Sequence, residues 1–208
     1  MLWPIARFLP ATIKSPFDSL ILKYHLNDYH DKQFVNDLLN GIDYGVHIGF
    51  TSNRSPHVSN NHHSTTTNVS AIAKELERDI NLRKKLGPFL SPPFTNFVGS
   101  PMGAIPKKRS VPVLWRIIHD LSWPPGQSIN DAIPKEHVTC TYDTLDNAIT
   151  QLKKFGKDAL MSKLDLYGHI LVHPDDWELL GSSWPIKVDG SVTTGYGGSA
   201  VLLLYGIT

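Results

Sequence analysis

Three groups of side chains in this sequence could do chemistry. The first is a lone carboxylate, Asp165, at the C-terminal end of the apolar run ALMSKLDL. Hard divalent cations such as magnesium take carboxylate oxygens. A buried strand fixes such a group while the space beyond its end stays open. The second group is cationic: Lys107, Lys108 and Arg116. Arginine grips phosphate through two donors of a planar fork, and lysine acts on it as a point charge. The third is His57, His62 and His63, in a stretch rich in Ser, Thr and Asn. Neighbouring histidines can hold zinc, which needs three or four ligands in fixed geometry.

Each group also has a plainer reading. An aspartate at a strand end serves as a cap or turn former. The basic residues can be a solvated hairpin, and the histidines a solvated loop with no cysteine or acid beside them. Asp175 and Asp176 follow His173-Pro174 and open a short helix whose Trp177 and Leu180 face inward. Acids favour a helix N-terminus, so the pair reads as capping residues rather than metal ligands. His119, Asp120, Asn130 and Asp131, from HDLS and SIND, read as turn and cap residues that tie loops through side-chain hydrogen bonds.

The elements that must position these groups follow from periodicity. Residues 28–41 predict a helix with Phe34, Val35, Leu38 and Leu39 on one face and Gly41 as its stop. Residues 51–70 are a polar loop with almost nothing to bury. A helix is expected from about Ser70 to Leu86, with Ile72, Leu76 and Ile80 at four-residue steps and Gly87-Pro88 ending it. Prolines hold the next passage extended. VPVLWRIIHDL is a strand. YDTLDNAITQLKKFG is a helix with Asp143 or Thr144 near its cap, an apolar face of Leu145, Ala148, Ile149 and Leu152, and Gly156 at its end. From Gly181 onward the text is rich in glycine and serine, and its pattern assigns no structure.

Composition bounds the partners. With 208 residues, 41% hydrophobic and 19% charged, the chain can bury a core. Its net charge of +1 is low for a nucleic-acid-binding domain, so any positive surface must be local. One cysteine, Cys140, excludes an internal disulfide and a four-cysteine zinc site. Prolines 4, 10 and 16 interrupt the apolar N-terminus, and VLLLYGIT is too short to span a bilayer. The expectation is a soluble intracellular protein with no membrane contact.

The segments SPMGAIPKK, WRIIHDLSWPPGQSINDAI, YDTLDNAITQLKKFGKDALMSKLDL and HPDDWELLG, in that order, resemble retroelement reverse transcriptases, most of all those of the DIRS-like, tyrosine-recombinase group. KYHLNDYHDKQFVNDLLNGIDYGVHIGF and GPFLSPPFTNFVGS look like that family's lead-in, so the resemblance covers roughly residues 20–181. It implies an α+β right-hand polymerase fold: a lead-in region over 1–95, fingers and partial palm over 96–181, and a divergent tail over 182–208. It implies RNA-directed DNA polymerisation with Mg2+, deoxynucleotides and an RNA or DNA template-primer. In that pattern Asp165 is the catalytic metal ligand. Lys107 or Lys108 and Arg116 stand on paired finger strands and hold the nucleotide's phosphates.

Three departures stand against full activity. No residue of DLYGHILVHP matches the aromatic that floors the sugar pocket. TGYGGSAVLLLYGIT stands where the Pro-Phe-Gly template grip belongs. The second aspartate motif, thumb and RNase H region are not in the sequence. RSVPVL also lengthens the gap between PKK and WR. The expectation is therefore a truncated or decayed copy, catalytically incomplete alone. The alternatives are a non-enzymatic remnant with weak or no nucleic-acid binding, and a zinc module built on the histidine loop.

Overall fold

A computed structural model describes residues 15–107, 113–137, 144–156 and 170–200 of the chain. The fold is α+β, with helices concentrated in the first part and strands in the rest. Two short helices open it. In α1, Ser19–His25, Asp18 caps by accepting from the Leu20 and Ile21 amides. In α2, Lys32–Tyr44, Asp31 accepts from the Phe34 amide. This second helix buries Val35 and Leu39 but leaves Phe34 and Leu38 exposed.

Gly41 does not end α2. The helix runs through it to Gly45, which has φ +88°. A Cβ at Gly45 would lie 2.7 Å from the backbone of Val172 and His173. Both the left-handed backbone and the close approach therefore require glycine there, whereas a glycine inside a helix costs only about 1 kcal/mol.

The polar stretch 51–70 is not an empty loop. It carries β1, His57–Val58, and α3, His63–Thr67, and Thr65 is buried. Its polar side chains serve the backbone of a later strand, β4, Met102–Pro106. Thr65 Oγ1 donates to Met102 O at 2.6 Å, Met102 N donates to Asn61 Oδ1 at 2.8 Å, and Ala104 N donates to Ser64 Oγ at 3.0 Å. A strand edge has unpaired amides that must find acceptors, and here Ser and Asn supply them.

Helix α4, Val69–Asn81, buries Ile72 and Leu76 as expected but stops well short of Leu86. Arg83 turns the chain at φ +58°, and β2, Lys85–Phe89, follows directly. Leu86 is drawn into a different core from the one under α4, and strand pairing overrides its helical propensity.

Strand β3, Val98–Gly99, joins a five-stranded sheet with β6, Gly181–Val188, and β7, Ser191–Ser199. The order is β1-β3-β6-β7-β2, parallel for the first two pairings and antiparallel for the last two. Residues 181–199, which carry no period, form the sheet's longest hairpin. It turns on Asp189 and Gly190, both with positive φ, as a two-residue hairpin of matching twist requires. A Cβ at Gly197 would lie 2.2 Å from Leu86 O and 2.5 Å from the Trp184 ring, so β2 and Trp184 close on this position.

One core gathers Leu86, Val98, Val172, Trp177, Leu179 and Leu180, and a second gathers Ile72, Leu76, Met102, Ala104 and Trp184. Each buried Val, Leu, Ile or Met among them contributes about 1.5–3 kcal/mol by leaving water. Helix α5, Leu145–Phe155, has Thr144 as its cap and Gly156 at φ +92° after it, as expected. Its apolar stripe is not packed among the described residues: Leu145 is 74% exposed and no residue of the helix is buried. The strand expected at 159–166 lies outside the described residues.

Candidate phosphate-binding hairpin and the Asp176 network

Strand β4 pairs antiparallel with β5, Trp115–His119, in the register Met102↔His119, Ala104↔Ile117, Ile105↔Arg116 and Pro106↔Trp115. The pairing expected between these segments is present. Lys107 N donates to Leu114 O at 2.7 Å, which extends the ladder beyond the strands.

Alternation sorts the two faces. Met102, Ala104, Trp115 and Ile117 pack onto α4 and Trp184. Ile105, Leu114 and Arg116 turn outward and are exposed. Lys107, two residues after Ile105, stands on that outer face diagonal to Arg116. Diagonal cross-strand positions are within reach of long side chains. The two cations flank the exposed apolar pair Ile105 and Leu114, so one basic strip lies on a backbone pinned from behind. Lys108 and Asp165 lie outside the described residues.

The loops around the hairpin are tied as their sequence suggests. Asp120 Oδ1 accepts from Ser122 N at 3.2 Å, and its Oδ2 is 3.0 Å from His62 Nε2. Asn130 Nδ2 donates to Ser122 Oγ at 2.8 Å. Asp131 accepts from Ser128 N at 3.0 Å and Ser128 Oγ at 2.7 Å, and the Ser128 hydroxyl, then its amide, hold that carboxyl below its ordinary pKa. His62 is thus engaged with Asp120, His63 with Thr66, and His57 with Ser55 O. None of the three belongs to a group able to share an ion among the described residues.

Asp176 is not a helix cap. The cap of the 3-10 helix Pro174–Leu179 is His173, whose Nδ1 accepts from the Asp175 amide. Asp176 is buried and accepts from Arg54 Nη2 at 2.7 Å, His47 Nδ1 at 3.0 Å and the Ile48 amide at 3.0 Å. Arg54 also donates to Glu178 Oε1 at 3.0 Å and to the Asp175 carbonyl. A buried carboxylate with three donors is stable where a lone one would not be.

Nothing in the text around Arg54 or His47 points to this network. A second feature is equally silent in sequence: Lys85 Nζ, His119 Nδ1 and Ser182 Oγ are buried without hydrogen-bond partners among the described residues. Lys85 lies 5.6 Å over the Trp184 ring. Burial lowers its pKa from 10.5 to about 7, against the opposing charge of Asp79. Burial, then the charge of Lys85, holds His119 well below its ordinary value.

No protein-family model matches the chain, and no curated protein is significantly similar to it.

Proposed function

We propose that the chain is the fingers and first part of the palm of a retroelement reverse transcriptase, and that it binds nucleic-acid phosphate without polymerising DNA by itself. The observation that carries this reading is the β4–β5 hairpin. Lys107 and Arg116 stand diagonally on its outer face, while its inner face is locked into a core. A phosphate-binding surface gains by such rigidity, because less side-chain and backbone freedom is lost on binding. The order of the four sequence segments supports the same reading, and α5 stands between the hairpin and Asp165 along the chain, as that order requires.

The catalytic half of the reading rests on Asp165 alone. Magnesium held there would polarise a phosphoryl oxygen. A two-ion displacement needs further carboxylates in place, and the 208 residues match none to that role. What this chain contributes by itself is therefore the grip on phosphate.

Photocrosslinking with a primer-template carrying photoreactive bases tests the assignment. The expected adducts fall on peptides spanning residues 102–119. Adducts confined to α1, α2 or α5 would overturn it.

A further inference from the structure

His47, His173 and Asp175 come together from opposite ends of the chain. A ring nitrogen of each histidine and a carboxylate oxygen of Asp175 lie within 4.8 Å of one another. The backbone builds this meeting. Val46 bridges to Val172 in parallel, with Val46 N donating to Leu171 O at 2.9 Å and His173 N donating to Val46 O at 3.0 Å. The two histidines follow the bridge on neighbouring strands of chain, and their rings stack at 4.0 Å with a 30° tilt. Gly45 lets the segments close, as no Cβ fits there.

We infer that these three residues form a binding site for a borderline-soft divalent cation, zinc being the best match. Two imidazoles and a carboxylate suit zinc and its transition-metal neighbours, whereas magnesium prefers oxygen alone. His173 Nδ1 and Asp175 Oδ2 are 3.5 Å apart, and an ion bound between them would replace the 3.3 Å hydrogen bond that Nδ1 now accepts from the Asp175 amide. Two ligand atoms about 2.0–2.2 Å from a tetrahedral ion sit roughly 3.3–3.5 Å apart, so this pair already has the required spacing.

His47 is prepared in a different way. Its Nδ1 donates to Asp176 Oδ2 at 3.0 Å, which leaves the lone pair on Nε2. A carboxylate on the far nitrogen is how protein sites orient a ligating histidine. Asp176 is fixed in turn by Arg54 and the Ile48 amide. The Arg54 charge is offset by Asp176 and Glu178. The His47 side chain is 59% exposed, so an ion can reach its ring from solvent.

Three protein ligands leave a fourth position for water. The bound ion would clasp the segment after α2 to the 3-10 helix, and this site is independent of the polymerase reading. It also gives Asp175 the ligand role that its place at a helix start does not suggest.

Titration calorimetry of the full chain with Zn2+ at pH 7.5 tests the inference. One saturable site is expected. His47→Gln, His173→Gln and Asp175→Asn should each weaken binding at least about tenfold, while His57→Gln with His63→Gln leaves it unchanged. Asp175 is exposed and away from the core, so its variant separates lost ligation from lost folding. Zinc should also raise the melting temperature of the native chain, by linkage to the folded state. Absence of saturable binding, or binding that survives all three substitutions, would overturn the site.

Discussion

Arg54 Nη2 and Asp176 Oδ1 meet at 2.7 Å although 122 residues separate them. The pair joins the loop after α2 to the 3-10 helix that leads into β6. Asp176 is 3% exposed and Arg54 29%, so the acid is the deeper and more vulnerable partner.

Arg54→Ala should therefore destabilise the fold by about 3 kcal/mol, because it leaves a buried carboxylate with only His47 and Ile48. Asp176→Ala should cost somewhat less, about 2–3 kcal/mol, since Arg54 keeps Glu178. The double variant should cost less than the sum by at least about 1 kcal/mol, as contacting residues couple. Urea denaturation measures all three. Strict additivity would mean that the pair does not act as a unit.

Lys85 predicts a pH dependence. Its folded pKa of about 7 lies below the ordinary 10.5. Between these values the unfolded chain binds more protons than the folded one, so stability rises with pH across that window. Lys85→Met should flatten this rise and stabilise the protein at pH 7 and below, by an amount on the order of 1–3 kcal/mol. Denaturation midpoints from pH 6.5 to 10 decide it. An unchanged slope in the variant would show that Lys85 keeps its charge in the fold.

How much of this was legible in the sequence varies by element. Strand β5 was legible because its apolar, β-branched residues read as a strand, while its pairing with β4 was an expectation carried by the family resemblance alone. The cap at Thr144 and the stop at Gly156 were legible because those residue types have one common use at helix ends. The end of α4 was not. Leu82 to Leu86 continue a helical composition, and the pairing of Lys85 and Leu86 with β7, which buries Leu86, is a contact that no local pattern announces.

The hairpin of β6 and β7 carried one usable mark, Asp189-Gly190, a pair that favours the turn it forms. Its strands hide that mark by alternating small residues, because Gly181, Gly195 and Gly197 leave room for the Phe97, Ile186 and Trp184 side chains. The Asp176 network and the histidine cluster were invisible for another reason. Each depends on contacts between residues more than 120 positions apart, and no local pattern encodes such a meeting.

Catalysis gives the next prediction. If the proposed reading holds, the isolated chain should show no primer extension with Mg2+ or Mn2+, since a partial two-ion site does not retain proportionate activity. Extension abolished by Asp165→Asn would contradict this, and would mean that another carboxylate, such as Asp189 or one from a partner, completes the site. Extension that persists in Asp165→Asn would point to a contaminating polymerase.

The salt dependence of binding to a labelled primer-template tests the central claim most directly. Each phosphate contact releases counterions and adds about 0.9 to the slope of log K against log salt on a duplex. The native chain should bind weakly with a clear negative slope. Lys107→Ala with Arg116→Ala should reduce its magnitude by about 1–2, while Lys153→Ala with Lys154→Ala on α5 should leave it alone. A slope unchanged by the hairpin variant would contradict the claim that this strip holds phosphate.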